Sequence, residues 1–275
     1  MNLYYLLAYF LLYSLLGWML EVVYHVLKQG KVINRGFLNG PVCPIYGFGM
    51  VAVIAILEPY SSNLALLFIG GIIFATVIEL FGGFILYKAF HMRWWDYTNE
   101  PFNLGGYICL RFSMAWGVCI VFAIDIIHPI VELNVYLMDG IIGHVLTVIF
   151  CIIYAADFII TVLSILNLNK DLKRMNNLAR QVRHFSDDLT EKIGEKTFQA
   201  DAKVQHGRLQ ASLGRAEARD LMQAEMKKLH KYRALHRWVG YGRLAKAFPN
   251  LKHADYNKEF LRMKKSLFGK EQEEA

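Results

Sequence analysis

The chain has 275 residues, 55% of them hydrophobic, yet it carries a formal net charge of +7. Residues 1–167 hold six Lys/Arg against nine Asp/Glu and the rest holds twenty-four against fourteen, so an apolar part at −3 precedes a basic part at +10. That asymmetry excludes one evenly mixed soluble domain, and four scattered cysteines without a CxxC pair exclude a disulfide framework.

Apolar runs near the ~20 residues that cross hydrocarbon fall at 3–27, 64–87, 107–127 and 141–166. The first lacks a basic leader and a small-residue cleavage site, and reads as a retained span. A shorter run at 41–57 opens with Pro41 and Pro44 and contains Gly47 and Gly49, which fits either a short span or a re-entrant segment. Loop charge favours a span. Lys28, Lys31 and Arg35 follow the first run, Lys88 and Arg93 the third, and the basic tail the fifth, while the two intervening loops have no Lys or Arg. By the positive-inside pattern this predicts an all-α, polytopic membrane helical bundle of about five spans in a bacterial plasma membrane, with the N-terminus outside and the tail cytoplasmic.

The tail, residues 168–275, continues as Leu172, Met175, Leu178, Val182, Phe185, Leu189 and Ile193, an apolar stripe that can prolong the last span as an amphipathic helix. Met222, Met226, Leu229, Tyr232, Leu235 and Val239 make a second stripe, able to pair with the first as a hairpin. Pro249 ends the helix before it, and Glu271 to Glu274 close the chain as a frayed acidic terminus.

Ionisable residues inside spans are expensive and mark candidate sites. Glu21, Glu79 and Arg111 all fall in the predicted cytoplasmic half, beside the Gly/Pro/Asn-rich loops 34–47 and 91–106. Glycine lets backbone amides approach a ligand, and Asn and Arg offer donors to phosphate or carboxylate. Glu21, Glu79 and Arg111 are therefore expected to line a polar interior, with Asn34, Arg35, Asn39, Trp95, Asp96 and Asn103 at its mouth. The plainer alternatives are a structural ion pair between Arg111 and Glu21 or Glu79, an aromatic belt of Trp94, Trp95 and Tyr97, and close helix packing at Gly70, Gly71, Gly82 and Gly83. Asp125, His144 and Asp157 form a sparser set that could make a polar path. His25, His91 and Cys43 lack metal-ligand spacing, so neither a metal nor another cofactor is expected, and no catalytic residue is assigned.

Read in order, Gly17-Trp18 with Glu21, NRGFLNGPVCPIYGFG, Glu79, WWDYTNEPFNLGGYICLRFSMAWG, His128-Pro129 and the later FPNL at 248–251 resemble the CmpB-like, type IV family of ABC-transporter permeases. The resemblance implies a multi-pass permease. No G-x-x-x-x-G-K-[ST] phosphate loop occurs, so any ATPase would be a separate subunit. The expected function is binding of a small anionic or amphiphilic ligand from the cytoplasmic side. A membrane enzyme acting on lipid headgroups, or a scaffold recruiting a protein partner or a second copy through its tail, are the alternatives. The lipid bilayer is an expected partner and a specific nucleic acid is not.

Overall fold

The computed structural model describes residues 2–30, 32–196, 220, 241–248 and 250–268. The chain divides into two compact units, Met1–Ile165 with Val239–Ala254, and Leu166–Trp238 with Asp255–Ala275. The second apolar stripe of the tail, like Pro249 and Glu271 to Glu274, lies outside the described residues.

In the first unit, α1 is Leu3–Gln29, capped by the Asn2 side chain and closed by Gly30 in the left-handed region. After the loop come α2, Pro44–Leu57, and a 3-10 turn, Glu58–Tyr60. α3 is Leu64–Phe90, capped by the Asn63 side chain. Three two-residue strands follow: β1 (Met92–Arg93), β2 (Asn103–Leu104) and β3 (Ile108–Cys109). α4 is Leu110–Phe122, and a π-helical turn, Ala123–Ile127, joins it to α5, His128–Leu137. The sequence reading ends an apolar run at Ile127, before His128-Pro129, yet the helix continues. Proline removes one N–H and its ring displaces the carbonyl four residues back; the wider π turn just before Pro129 accommodates both.

α6 is Ile141–Lys196, 56 residues, more than twice what a crossing needs, so the fifth apolar run and the first tail stripe form one element. α7 (Tyr241–Ala247) and β4 (Lys252–His253) return to the first unit, where β4 pairs antiparallel with β1. In the second unit, α6 carries a buried stripe of Leu168, Leu172, Met175 and Ala179, and α8 (Asn257–Phe268) buries Phe260 and Met263.

α1, α3, the continuous α4–α5 stretch and α6 are long and apolar enough to cross a membrane; the helix Pro44–Tyr60 is apolar but shorter. Large apolar side chains such as Ile73, Phe81, Val118, Phe122 and Ile152 point outward, as a surface in hydrocarbon requires. The interior has small residues where helices touch: Gly71 lies against Gly117 and Ile120, and Gly70 against Leu57. The buried cluster includes Tyr9, Tyr13, Ile54, Leu57, Leu67, Ile120 and Val131, joining α1 to α5.

α1 and α2 meet most closely at Gly17, against Tyr46, and at Gly47, where a Cβ would collide with Ser14 Oγ and the Phe10 carbonyl. Overpacking such a contact costs about 2 kcal/mol. Gly47→Val is expected to lower the unfolding temperature in detergent clearly, whereas Gly140→Ala, with open space around the new methyl, should leave it unchanged.

Candidate functional site

The loop between α1 and α2 does not stay at the end of the bundle. Cys43 N–H donates to the Ser14 carbonyl at 2.8 Å, and Ser14 sits near the middle of α1, so irregular backbone descends to mid-helix depth before α2 begins. Non-helical backbone at such depth needs protein partners for its polar groups. Asp157 on α6 supplies acceptors: it takes the Asn39 N–H at 3.1 Å, Asn39 Nδ2 at 2.8 Å and the Gly40 N–H at 2.7 Å. Asn34 ties the turn internally, accepting from the Trp18 indole at 2.8 Å and the Gly36 N–H at 2.9 Å, and donating to the Asn39 carbonyl at 2.8 Å.

Three of the loop's carbonyls are met from α7. Arg243 donates to the Gly36 carbonyl at 2.9 Å, the Phe37 carbonyl at 2.8 Å, the Asn34 carbonyl at 3.4 Å and Asn39 Oδ1 at 3.3 Å. Burial lowers its pKa to about 10, with Asp157 opposing, so the guanidinium stays charged at neutral pH. One arginine thus binds the folded loop as a ligand would. Chemically specific as it is, it lies in a basic tail of many Lys and Arg, and nothing in the spacing around it singles it out.

Of the nine residues expected at a polar interior or its mouth, the structure groups some and separates others. Glu21 accepts from the Tyr46 hydroxyl at 2.8 Å and lies 3.6 Å from Arg35 Nε; their side chains are 27% and 22% exposed. Arg35 also reaches His25 Nδ1 at 3.3 Å and covers the Phe248 ring at 5.7 Å. Its Nε is buried with no hydrogen-bond partner among the described residues. Glu79, buried on α3, accepts from the Tyr97 hydroxyl at 2.8 Å. Burial and the adjacent Glu79 push the Tyr97 pKa far above the phenol range, so its hydroxyl remains a donor.

Arg111 goes elsewhere. It is 73% exposed and lies 3.6 Å from Glu100, so neither Glu21 nor Glu79 has it as an ion-pair partner. Trp95 donates to the Tyr107 carbonyl at 2.9 Å, and Asn103 donates to the Glu100 carbonyl at 2.8 Å and accepts from the Gly106 N–H at 3.1 Å; both brace the turn formed by 95–107. Asp96 receives Lys252 Nζ at 2.8 Å, the Thr98 hydroxyl and the Thr98 N–H. Trp94 is buried between Phe37 and Phe248, inside the fold rather than in an aromatic belt. Asp157 has joined the loop, whereas His144 stacks on Tyr4 at 4.2 Å and Asp125 is exposed, so these three do not line up as a path.

Arg243→Ala leaves three carbonyls without their donor, which costs on the order of 3 kcal/mol. Hydrogen exchange of residues 34–43 should accelerate in that variant while α3 and α4 stay protected. Hydrogen bonds from Lys252 and Thr98 lower the Asp96 pKa to about 2. A carboxylate depressed on folding adds stability that is fully present above about pH 4 and lost as pH falls through about 2. Pepsin cleavage near 252–254 is therefore expected to rise across that window, and Lys252→Ala should give the raised cleavage at pH 4 already.

Residues 8–162, more than half of the chain, match the model of the family described as "Putative ABC-transporter type IV". No curated protein and no solved structure matches the chain. With its long apolar helices and its polar groups gathered on the α1–α2 and α3–α4 loops, the chain belongs to that family and is an ABC-transporter-related membrane protein.

Proposed function

We propose that the chain is the permease-like membrane subunit of an ABC-type transporter, energised by a separate ATPase. Its ligand is a small amphiphile with an anionic headgroup, reached from the cytoplasm. The observation that carries this reading is the unwound backbone at 34–43, held at mid-helix depth beside Glu21 and Arg35. Non-helical backbone at membrane depth lines polar cavities in transporters, because an irregular stretch presents peptide groups that a continuous helix spends on itself. α2 has 14 residues, about 21 Å of helix, so the descending loop supplies the rest of a crossing.

Five crossings put Arg35, Arg93 and the basic tail on the cytoplasmic side of a bacterial plasma membrane, as charge bias requires. Arg35 is the headgroup contact. It is only partly screened by Glu21, its buried Nε has no hydrogen-bond partner among the described residues, and a guanidinium suits carboxylate or phosphate. Glu79 and Tyr97 form the polar floor, and Asn34, Asn39, Asp96 and Asn103 shape the mouth around it. Arg111 belongs to the outer rim of that mouth, and Trp95 holds the rim in place. The tail is a second contact surface for the ATPase or another copy of the chain.

Affinity purification in mild detergent, with identification of co-purifying proteins and lipids, is the test. An ATPase and a stoichiometric anionic amphiphile are expected in the wild type, and Arg35→Gln should reduce the amphiphile at least about tenfold, the equivalent of ~1.4 kcal/mol. An intact Arg35→Gln variant that retains its amphiphile would overturn the headgroup assignment. Turnover of a labelled lipid by the purified chain without ATP would replace transport by enzymology.

A further inference from the structure

A second polar cluster lies at the other end of α2, away from the descending loop. Glu58 opens the 3-10 turn after α2, His128 begins α5, and Glu132 stands one helical turn further on, on the face that His128 occupies. One ligand-capable atom from each of the three lies within 4.8 Å of the others.

The imidazole is held firmly. His128 is 3% exposed, its Nδ1 is 3.1 Å from the Tyr13 hydroxyl, and the Tyr9 ring meets it edge-on at 5.2 Å. Its other nitrogen, Nε2, points at Glu58 Oε1 at 3.7 Å, too far for a hydrogen bond. The π turn Ala123–Ile127 sets this orientation, and such turns recur where a helix presents a functional side chain.

The charges point the same way. Neither 1–27, 36–87 nor 112–169 contains a Lys or Arg, and those stretches build this end of the bundle. Two carboxylates therefore approach one another with no side-chain cation, other than a protonated His128, from the elements around them. A divalent ion would remove that repulsion.

We propose that Glu58, His128 and Glu132 bind a divalent first-row transition-metal ion, with Zn2+ the best match. One imidazole with two carboxylates suits Zn2+ better than Mg2+ or Ca2+, which favour all-oxygen shells. Three protein ligands leave a position for water. In the bound state Nδ1–H donates to the Tyr13 hydroxyl and Nε2 gives its lone pair to the metal, the arrangement by which an outer partner fixes a histidine ligand's tautomer. Glu58 is partly exposed and Glu132 exposed, so both carboxylates can rotate inward to the ~2.0–2.2 Å that zinc–oxygen bonds require. The metal would pin the α2–α3 corner to the α4–α5 joint. The proposal is independent of the amphiphile site.

The test uses the full chain in mild detergent, stripped with EDTA and dialysed against Zn2+. Saturable uptake of about one Zn2+ per chain is expected, with Mg2+ unable to displace it. Tyr13→Phe should weaken binding roughly tenfold, as loss of an outer-shell partner does. Glu58→Gln and Glu132→Gln should weaken it further while helical circular dichroism without metal stays unchanged. Zn2+ should also raise the unfolding temperature of the wild type and not that of Glu132→Gln. Absence of saturable uptake, or uptake by both glutamine variants equal to the wild type, would overturn the proposal.

Discussion

Irregular backbone that descends among membrane helices must find partners in protein, because hydrocarbon offers none. In this chain the descending stretch 34–43 has its N–H groups at Asn39 and Gly40 met by Asp157, and its carbonyls at Asn34, Gly36 and Phe37 met by Arg243. An acid on α6 and a base on α7 therefore hold one loop, the acid taking its N–H groups and the base its carbonyls. Remove either side and the cost falls on the backbone, not on a replaceable side-chain contact. The position of Arg35 beside Glu21 depends on this support, since Arg35 belongs to the stretch being held.

The same economy of polar groups runs through the 91–109 segment. Tyr97 donates to Glu79 and Asp96 takes Lys252, which tie the segment to α3 and to the returning tail, while Trp95 donates to the Tyr107 carbonyl and closes the segment on itself. Gly105 and Gly106 both adopt positive φ, as His91 and Phe102 do in the same segment, a backbone that residues other than glycine rarely accept. At Gly106 the space is also closed, since a Cβ there would meet Thr98, Arg93 and Asp96. Two rigid loops, not one, thus frame the polar end of the bundle.

The helical class and the long apolar helices were legible because hydrophobic run length is a direct physical requirement. So was the family, through motifs long enough to be specific, and the close helix packing at Gly70, Gly71 and Gly82, through residue size, whereas Gly83 meets the Trp95 and Tyr107 side chains. Partners were not legible. Arg111 looks in sequence like the natural mate of a buried acid, yet helix phase and position put it with Glu100. Asp157 looks like a member of a path, but its oxygens are taken by a loop more than a hundred residues earlier. Arg243 is one of many tail cations until the loop carbonyls around it are seen. Long-range pairing of this kind leaves no periodicity to read.

α1 connects the two polar clusters. Tyr13 touches His128 at one end, and Glu21, eight residues or about 12 Å further along the helix, touches Tyr46 and Arg35 at the other. Between them α1 packs tightly on α2, with Gly17 against the Tyr46 side chain and Gly47 against Ser14 and Phe10, so a shift of one helix must be taken up by the other. A ligand that moved Arg35 would therefore press on the same pair of helices that carry Tyr13 and precede Glu58. Coupling requires differential affinity for two arrangements of that pair, and the close glycine contacts give the pair few arrangements to choose from.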